Sequence, residues 1–361
     1  MKVDGGFTRN FAIIAMKKDI TIKLAIFDLI DNSIEAAEKL GRIRGHKIAI
    51  ITEEDKFSIK DDCGGLNPKL IKEVFKIGGR GDKTNGFGVG MKRAIIKLGN
   101  KAEIFSYNDT KSFHIPFDVG KWGYNDDWSL DIMSLNKSER NAYGVEIYVE
   151  QLEDEVKRFF RKGECNNLSE DISRRYRMFL EVGMEIILNG KKIKLYKIKD
   201  VPDKISPKYV IQNNINVQIR IYSTIDIKEE NGWDIFINNK CICETNKSKD
   251  VQWNKTKQET GYSYRRFRGE VLIEGVDVID LPLNSTKDKI DFNSEIMNKI
   301  IRVMYNYLFQ NKQMFKKQDV KIQFDRDISE VDILKDYFDE KTAKATGERA
   351  FDIILGIARK I

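Results

Sequence analysis

The sequence predicts an α+β protein with two successive units, each built from a β-sheet and the helices that cover it. Residues 21–40 repeat apolar side chains at helical spacing, and residues 47–52 and 57–60 have the pattern of two hairpin strands. A second series of strand-like segments begins near residue 184, after a charged helical stretch. The 361 residues, 33% charged and 41% hydrophobic, are enough for two hydrophobic cores.

Composition narrows the class of protein. No apolar run approaches the roughly 20 residues that span a bilayer, and the N-terminus lacks a signal-peptide pattern, so we expect a cytoplasmic protein without membrane contact. The net charge of +7 permits contact with nucleic acid without requiring it, because acidic and basic residues are interleaved. The four cysteines form neither a disulfide framework nor a zinc-ligand spacing, and the presence of only two histidines excludes a His-rich metal site.

The predicted helix over residues 21–40 has a polar side and an apolar side. The polar side holds Asp28, Asp31, Asn32 and Glu35, opposite Ile26, Ile30 and Ala37. Asp28 and Asn32 are four residues apart, so a carboxylate and an amide lie on adjacent turns. Such a pair suits coordination of a hard cation or positioning of a water molecule. For this helix alone, a solvated acidic face is the simpler interpretation.

A carboxylate at a strand end marks a second candidate site. The strand over residues 57–60 runs directly into the segment DDCGGL, which begins at Asp61 and contains the glycine pair ending at Gly65. The glycines allow a ligand to approach the backbone closely, beside a rigidly held acceptor. A plain Asp-Gly turn has the same pattern, so this segment alone does not distinguish the two interpretations.

A glycine-rich segment opens the next predicted helix, over residues 91–98. Gly86, Gly88 and Gly90 alternate immediately before it, and Lys92 follows on its first turn. Glycines that free the backbone amides at a helix N-terminus, together with a lysine charge, predict an anion site. The spacing matches neither a Walker A loop nor a Rossmann fingerprint.

In this order, the motifs DLIDNSIEA, DDCGGL and GFGVGMK resemble those of the GHKL superfamily, the group of gyrase, heat-shock chaperone, histidine kinase and MutL ATPases. The resemblance implies a Bergerat-type α/β sandwich over residues 1–150 that binds ATP and Mg²⁺. For the first motif it implies that Asp28 is the catalytic acid and Asn32 the magnesium ligand. The family usually has Glu at the first of these positions, so with Asp28, which is one methylene shorter, either the attacking water lies closer to the helix or hydrolysis is slow.

The other two motifs imply the remaining ATP contacts. Asp61 corresponds to the residue that accepts the adenine amino group, and Gly65 corresponds to the second glycine of that motif, while Cys63 replaces the first. The third motif implies ATP binding by Gly86, Gly88, Gly90 and Lys92. Family members often have Thr after the glycine that opens the last strand; this chain has Val145 after Gly144, so a water-bridged contact near adenine is either missing or supplied elsewhere.

The second half resembles the S5-like transducer domain of the MutL, gyrase and MORC branch, here over residues 151–310 and followed by a helical tail over residues 311–361. Within it, the segment LPLNSTKDKIDFNSE is most similar to a MORC loop that reads PTHNKQDF. That match implies that Lys289 reaches the γ-phosphate and takes part in catalysis, with Lys287 as the alternative.

The resemblance implies an ATPase whose nucleotide state gates closure of a homodimer. A MORC-like clamp on DNA fits it best, with bacterial antiviral defence and a second effector protein as further expectations. A heat-shock-chaperone-like ATPase acting on protein clients is one alternative, and a nucleotide-sensing regulator with little turnover, suggested by Asp28, is another. A sensor kinase is disfavoured by the two badly placed histidines, and we expect neither strand passage nor nuclease chemistry from these 361 residues.

Overall fold

The structure, a computed structural model, describes eight segments of the chain: residues 8–69, 90–124, 129–135, 143–161, 165–198, 202–223, 230–284 and 286–316. Gly86 and Gly88, and the tail beyond residue 316, lie outside the described residues, so the expectations for them stay predictions. Among the residues that are described, no helix is both long and apolar enough to cross a bilayer.

An eight-stranded mixed sheet organises the first unit. Its strands are β1 Lys47–Thr52, β2 Lys56–Asp61, β3 Gly99–Tyr107, β4 Ser112–Asp118, β5 Met133–Leu135, β6 Gly144–Leu152, β7 Glu185–Leu188 and β8 Lys191–Lys192. Across the sheet they run in the order β5-β4-β3-β6-β2-β1-β7-β8. Neighbouring strands are antiparallel except β1 and β7, which are parallel.

Helices cover one face of this sheet. The described helices of the unit are α1 Arg9–Lys18, α2 Ile22–Lys39, α3 Gly90–Leu98, α4 Val119–Tyr124, α5 Asp154–Arg161, α6 Cys165–Arg175 and α7 Arg177–Glu181. Helix α2 begins after Thr21, whose side-chain oxygen accepts a hydrogen bond from the Leu24 backbone N–H at 3.2 Å. Its apolar side packs into one core with the sheet, and Ile26 and Ile30 are completely buried. The predicted amphipathic helix is confirmed.

The first unit does not end where the sequence placed its boundary. The strand at Glu185–Leu188, assigned above to the second unit, is β7 of the first sheet and pairs with β1, with Ile48 opposite Ile186. The first core correspondingly continues to Ile193 instead of ending near residue 150. Strand-like alternation predicts which side chains are buried but not which strand is the neighbour. The sequence pattern therefore could not show to which sheet this strand belongs.

The second unit has its own sheet and core. Its strands are β9 Lys204–Ile205, β10 Tyr209–Val210, β11 Asn216–Tyr222, β12 Gly232–Ile237, β13 Lys240–Asn246 and β14 Arg268–Glu274, and its described α-helices are α8 Trp253–Thr260, α9 Glu295–Gln310 and α10 Gln313–Lys316. The order is β10-β11-β14-β12-β13, with β9 also paired to β11. Helix α9 is capped by Ser294 and buries Met297, Ile300 and Met304 in the same core as Trp233.

A buried charge cluster joins the two units. Arg177, at the start of α7, donates to Asp234 of β12 at 3.0 Å and also contacts Glu270 of β14. Arg268 donates to the same Asp234 oxygen through Nη2 and Nε, at 2.7 and 3.0 Å. Each of these two arginines and two carboxylates has an oppositely charged partner inside the protein, so the cluster fixes how α7 lies against the second sheet.

Candidate functional site

One large cavity, of about 970 Å³, lies between the two units. Helix α2 forms one wall, the ends of β2 and β6 form another, and α3 begins at its edge. The second unit closes it with the turn between β12 and β13 and with the loop around Lys287. Asp28, Asn32, Asp61 and Gly65, which were selected from separate motifs, all line it.

Asp28 is held by an arginine that the sequence did not single out. Arg93 of α3 donates to Asp28 Oδ2 through Nη2 at 2.6 Å and through Nε at 3.2 Å. Both of these hydrogen bonds go to Oδ2, so the other carboxylate oxygen, Oδ1, takes no part in the contact with Arg93. Burial raises the pKa of Asp28 to about 6 although the Arg93 charge lowers it, so the carboxyl titrates close to neutral pH.

Asn32 lies one turn after Asp28 on the same side of α2, and it is exposed to the cavity. Its amide oxygen and the Asp28 carboxylate are hard oxygen donors of the kind that Mg²⁺ prefers. The donor chemistry of this wall therefore fits a magnesium ion, with Asn32 as the residue that would bind it.

Asp61 is a carboxylate with most of its acceptor capacity already used. Its Oδ1 accepts from the backbone N–H of Cys63 at 2.9 Å and from that of Val145 at 3.1 Å, and its Oδ2 accepts from the Ser33 hydroxyl at 2.7 Å. Burial raises the pKa of Asp61, and these hydrogen bonds oppose the rise. One acceptor position remains on Oδ2, which lets the carboxylate accept one further N–H from a ligand.

Glycines allow the backbone to approach closely around Asp61. A Cβ on Gly144 would lie 1.9 Å from the Asp61 carbonyl oxygen, because β2 and β6 meet there. A Cβ on Gly65 would lie 2.3 Å from the Tyr107 carbonyl oxygen, and Gly65 also has a φ of +69°. Both positions require glycine for steric reasons, and Gly65 requires it for its backbone conformation as well.

Replacing Gly65 with Ala should destabilise the protein by at least about 2 kcal/mol, because the new methyl group meets backbone that cannot move independently. Gly41→Ala is the matched control, since Gly41 has a φ of +71° and a Cβ added to it would meet nothing within 4 Å. Denaturant unfolding of both variants separates the steric cost from the backbone cost. Equal losses in the two variants would contradict the steric argument.

Helix α3 begins at the cavity, which Gly90, one of the expected residues, lines. Gly90 begins the helix beside Asp28, 3.9 Å from its carboxylate when measured from a Cβ placed on the glycine. Lys92 is only 1% exposed and is not among the described residues lining the cavity, and burial lowers its pKa to about 8. Arg93 lines the cavity instead. The role expected for Lys92 stays a prediction.

Of the two lysines proposed to reach phosphate, Lys287 is the one that lines the cavity. Burial lowers its pKa, while the carboxylates of Glu35, Asp31 and Asp28 raise it. Lys289 is exposed and does not line the cavity among the described residues. The loop is also tied to the first unit, because Arg93 Nη2 donates to the Thr286 carbonyl at 3.5 Å.

The polar side of α2 forms ion pairs across the junction between the units. Lys240, at the start of β13, lies 3.3 Å from Asp31 and 3.5 Å from Glu35. Arg175 approaches Asp31 at 3.6 Å and the Tyr176 hydroxyl donates to it at 2.8 Å. Burial acts to raise the pKa of Asp31, but Lys240 and Arg175 outweigh it and lower that pKa. The second unit is thus bound to the helix that carries Asp28 and Asn32.

Sequence reasoning missed Ser33, Arg93, Arg175 and Lys240. Ser33 follows Asn32 directly, but a serine within a helix is usually solvated or bonded to the backbone, so nothing local indicated its contact with Asp61. The three cations are 3 of 63 basic residues, and only their positions in space distinguish them. The signal available for Arg93 was its place on the turn that follows the glycine-rich segment.

Comparison with known protein families supports one kind of domain for the first unit. Residues 20–155 match the family model described as histidine kinase-, DNA gyrase B- and HSP90-like ATPase. The match supports a GHKL-type ATPase domain. It covers less than half of the chain, and within it lie the acidic wall of α2, Asp61, Gly65 and α3. ATP binding is the activity that this GHKL domain suggests. A comparison with curated proteins gave no match.

Proposed function

We propose that this protein is a Mg²⁺-dependent ATPase whose active site is the cavity between the GHKL domain and the second unit. The main support is that Asp28, Asn32 and Asp61, from two separate motifs, line a single cavity of about 970 Å³. A cavity of that size accommodates a ligand as large as a nucleotide. The match to an ATPase family over residues 20–155, which includes all three residues, supports the same proposal.

The adenine base would bind at Asp61. The remaining acceptor position on its Oδ2 suits the exocyclic amino group of adenine, whereas guanine presents a carbonyl oxygen at the equivalent place and would be repelled. Ser33 and the backbone N–H groups of Cys63 and Val145 hold the carboxylate in a fixed orientation. The proposal therefore includes selectivity for ATP over GTP.

The phosphates would lie between α2 and the N-terminus of α3. Backbone N–H groups at a helix N-terminus attract anions, and Arg93 and Lys287 add positive charge on the cavity wall. Asn32 would hold Mg²⁺, which neutralises charge on phosphate oxygens when bound. Asp28, through the oxygen that Arg93 does not contact, would orient a water molecule and accept its proton.

Coupling to the second unit would run through Lys287. Its loop belongs to the second unit, yet its side chain lines the cavity beside the acidic residues of α2. A lysine in this position would distinguish ATP from ADP by contact with the γ-phosphate, and so would link nucleotide state to the junction between the units. Lys289, exposed on the same loop, is the less favoured choice.

We further propose that ATP gates closure of a homodimer that clamps DNA. Helix α1 exposes Phe11 and Ile14, at 61% and 45%, and a second copy would cover this apolar surface. DNA as the client rests on analogy with the MORC and MutL branch alone. Steeply salt-dependent retention on immobilised duplex DNA would favour this clamp, and suppression of client-protein aggregation would favour a chaperone-like function.

A nucleotide-sensing regulator with little turnover is the second candidate. The observation that favours it is the ion pair between Arg93 and Asp28, which engages the carboxylate that hydrolysis would need as its base. Hydrolysis would then require Arg93 to move or Asp28 to act through Oδ1 alone.

Asn32→Ala should lower affinity for a non-hydrolysable ATP analogue in Mg²⁺ by at least about tenfold, because the metal loses a ligand. In EDTA the variant and the wild type should bind alike. Calorimetric titration measures both affinities, and light scattering of the same samples reports whether nucleotide and Mg²⁺ together convert monomer to dimer.

Asn298→Ala is the control for Asn32→Ala, because Asn298 is an exposed amide on α9 that donates to the backbone carbonyl of Ser294, the residue that caps this helix. A dimer that forms only with analogue, Mg²⁺ and Asn32 would support the gated clamp. A constitutive dimer, or no change in mass despite binding, would support the regulator. No nucleotide binding at all would refute the ATPase proposal.

A further inference from the structure

Three different metal-binding side chains meet where β1 begins and β2 ends. His46, Asp62 and Cys63 each offer one ligand atom, and these three atoms lie within 4.8 Å of one another. Of these atoms, His46 Nδ1 and Asp62 Oδ1 are 3.0 Å apart. No sequence pattern indicated this group, because His46 and Cys63 are separated by a whole hairpin and match no zinc-ligand spacing.

The cluster rests on rigid backbone. The Lys47 N–H donates to Asp62 Oδ1 at 2.8 Å, and the Asp62 N–H donates to the Lys47 carbonyl at 3.3 Å, which locks the two strand ends together. His46 is 7% exposed and Cys63 is 1% exposed, whereas the Asp62 side chain is 48% exposed. Two ligands are thus held in place, and the third leaves a path from solvent.

The donor set selects a class of metal. Imidazole nitrogen, thiolate sulfur and carboxylate oxygen together are typical ligands of Zn²⁺, whereas Mg²⁺ and Ca²⁺ prefer oxygen alone. With zinc bond lengths of about 2.0–2.3 Å, neighbouring ligand atoms of a tetrahedral site lie about 3.3–3.6 Å apart. The 3.0 Å pair is near this spacing, and the other ligand atoms, at most 4.8 Å apart, would have to approach by no more than about 1.5 Å.

The geometry points to a zinc site formed by His46, Asp62 and Cys63, with a fourth position left for water. The site is separate from the magnesium position proposed at Asn32, and it needs no nucleotide. If the zinc site is refuted, the ATPase proposal still stands. If the ATPase proposal is refuted, the zinc site still stands.

Metal binding here must release protons. The thiol of Cys63 becomes a thiolate, and its proton passes to solvent. His46 Nδ1 lies 3.1 Å from the Asp62 carbonyl oxygen and 3.0 Å from Asp62 Oδ1, which both accept, so a proton must leave Nδ1 before that nitrogen can bind a metal.

The test is a titration of the full chain, without nucleotide, with Co²⁺, which replaces Zn²⁺ and reports thiolate ligation by its absorption. We expect one Co²⁺ per chain with a thiolate-to-cobalt band that Zn²⁺ removes. Cys63→Ala should abolish the band, and His46→Gln and Asp62→Asn should each weaken binding by at least about tenfold. Cys243→Ala, at a half-buried cysteine in β13, should bind like the wild type.

Two results would overturn the site. One is a wild-type protein without the thiolate band. The other is a Cys63→Ala protein that keeps it. Because Cys63 is buried and its replacement could perturb folding, Asp62→Asn provides the independent check: its side chain is half exposed, and unchanged affinity in a folded Asp62→Asn protein would also refute the proposal.

Discussion

Replacing Asp28 with Asn is expected to slow ATP hydrolysis by about 10²- to 10⁴-fold while nucleotide affinity changes little. An amide has nearly the same shape as the carboxylate but cannot accept a proton from the attacking water. Single-turnover phosphate release measures the loss, and titration with a non-hydrolysable analogue measures affinity. Because the variant also removes the ion pair with Arg93, its unfolding should be recorded in parallel.

Asp28→Glu is the matched control, since it keeps a carboxylate and adds one methylene. It should hydrolyse ATP far faster than Asp28→Asn does. An Asp28→Asn protein with the wild-type rate would remove Asp28 from the catalytic role and would favour the regulator instead.

The same residue predicts how hydrolysis depends on pH. Burial raises the pKa of Asp28 to about 6, so below that pH the carboxyl is mostly protonated and cannot act as a base. The wild-type rate constant should fall about tenfold per pH unit below about 6 and should level off above about 7. The residual rate of Asp28→Asn should lack this inflection, and an inflection shared by both proteins would assign it to another group.

Replacing Lys240 with Met is expected to lower the free energy of unfolding by about 3 kcal/mol, because it leaves the partly buried carboxylates of Asp31 and Glu35 without their shared cation. The side chains of Lys240 and Asp31 are only 13% and 18% exposed, so solvent screens the pair weakly. Since Lys240 joins the second unit to α2, we also expect weaker coupling between nucleotide and dimer formation. Urea unfolding and light scattering measure the two effects.

The control for Lys240→Met is Lys208→Met, which removes a surface pair with Glu274 and should cost less than about 1 kcal/mol. The double variant with Lys240→Met and Asp31→Asn should lose less free energy of unfolding than the two single variants lose in sum, because the two side chains interact directly. Additive losses would show that the Lys240 contact is not what stabilises the junction.

The pH dependence of this pair follows from the two pKa directions. The pKa of Asp31 is lowered in the folded protein, so its contribution is present above about pH 4 and is lost as the pH falls through the folded value. Burial opposes the charged form of Lys240, but Asp31 and Glu35 raise its pKa, so its contribution disappears only at strongly alkaline pH. The difference between wild type and Lys240→Met should therefore be constant near neutrality and shrink in acid.

The local sequence pattern was enough to predict those parts of the site that lie within one helix or at one strand end. Asp28 and Asn32 are related by a single helical turn, and Asp61 and Gly65 by a single strand end, so their placement follows from backbone geometry. Asp31 shows the limit. Its partners Tyr176 and Lys240 belong to distant segments, and no spacing rule connects residues 145 positions apart.

The loop near residue 287 shows a second limit. The motif favoured Lys289, with Lys287 as the alternative, whereas in the structure it is Lys287 that lines the cavity, with a φ of +60°, an uncommon conformation for lysine. Sequence similarity cannot predict such a local conformation. Strand β7 was assigned to the wrong unit for a related reason: its pairing with β1 depends on the whole fold and not on local sequence.

The parallel pairing of β1 with β7 also sets the order in which the protein can fold during synthesis. Until the ribosome has made Glu185–Leu188, β1 remains an edge strand with unpaired backbone groups on one side. The family-matched stretch, residues 20–155, lacks this strand. Expressed alone, it would present a sheet edge open to pairing with other chains, so the nascent protein is most prone to aggregate just before its first core closes.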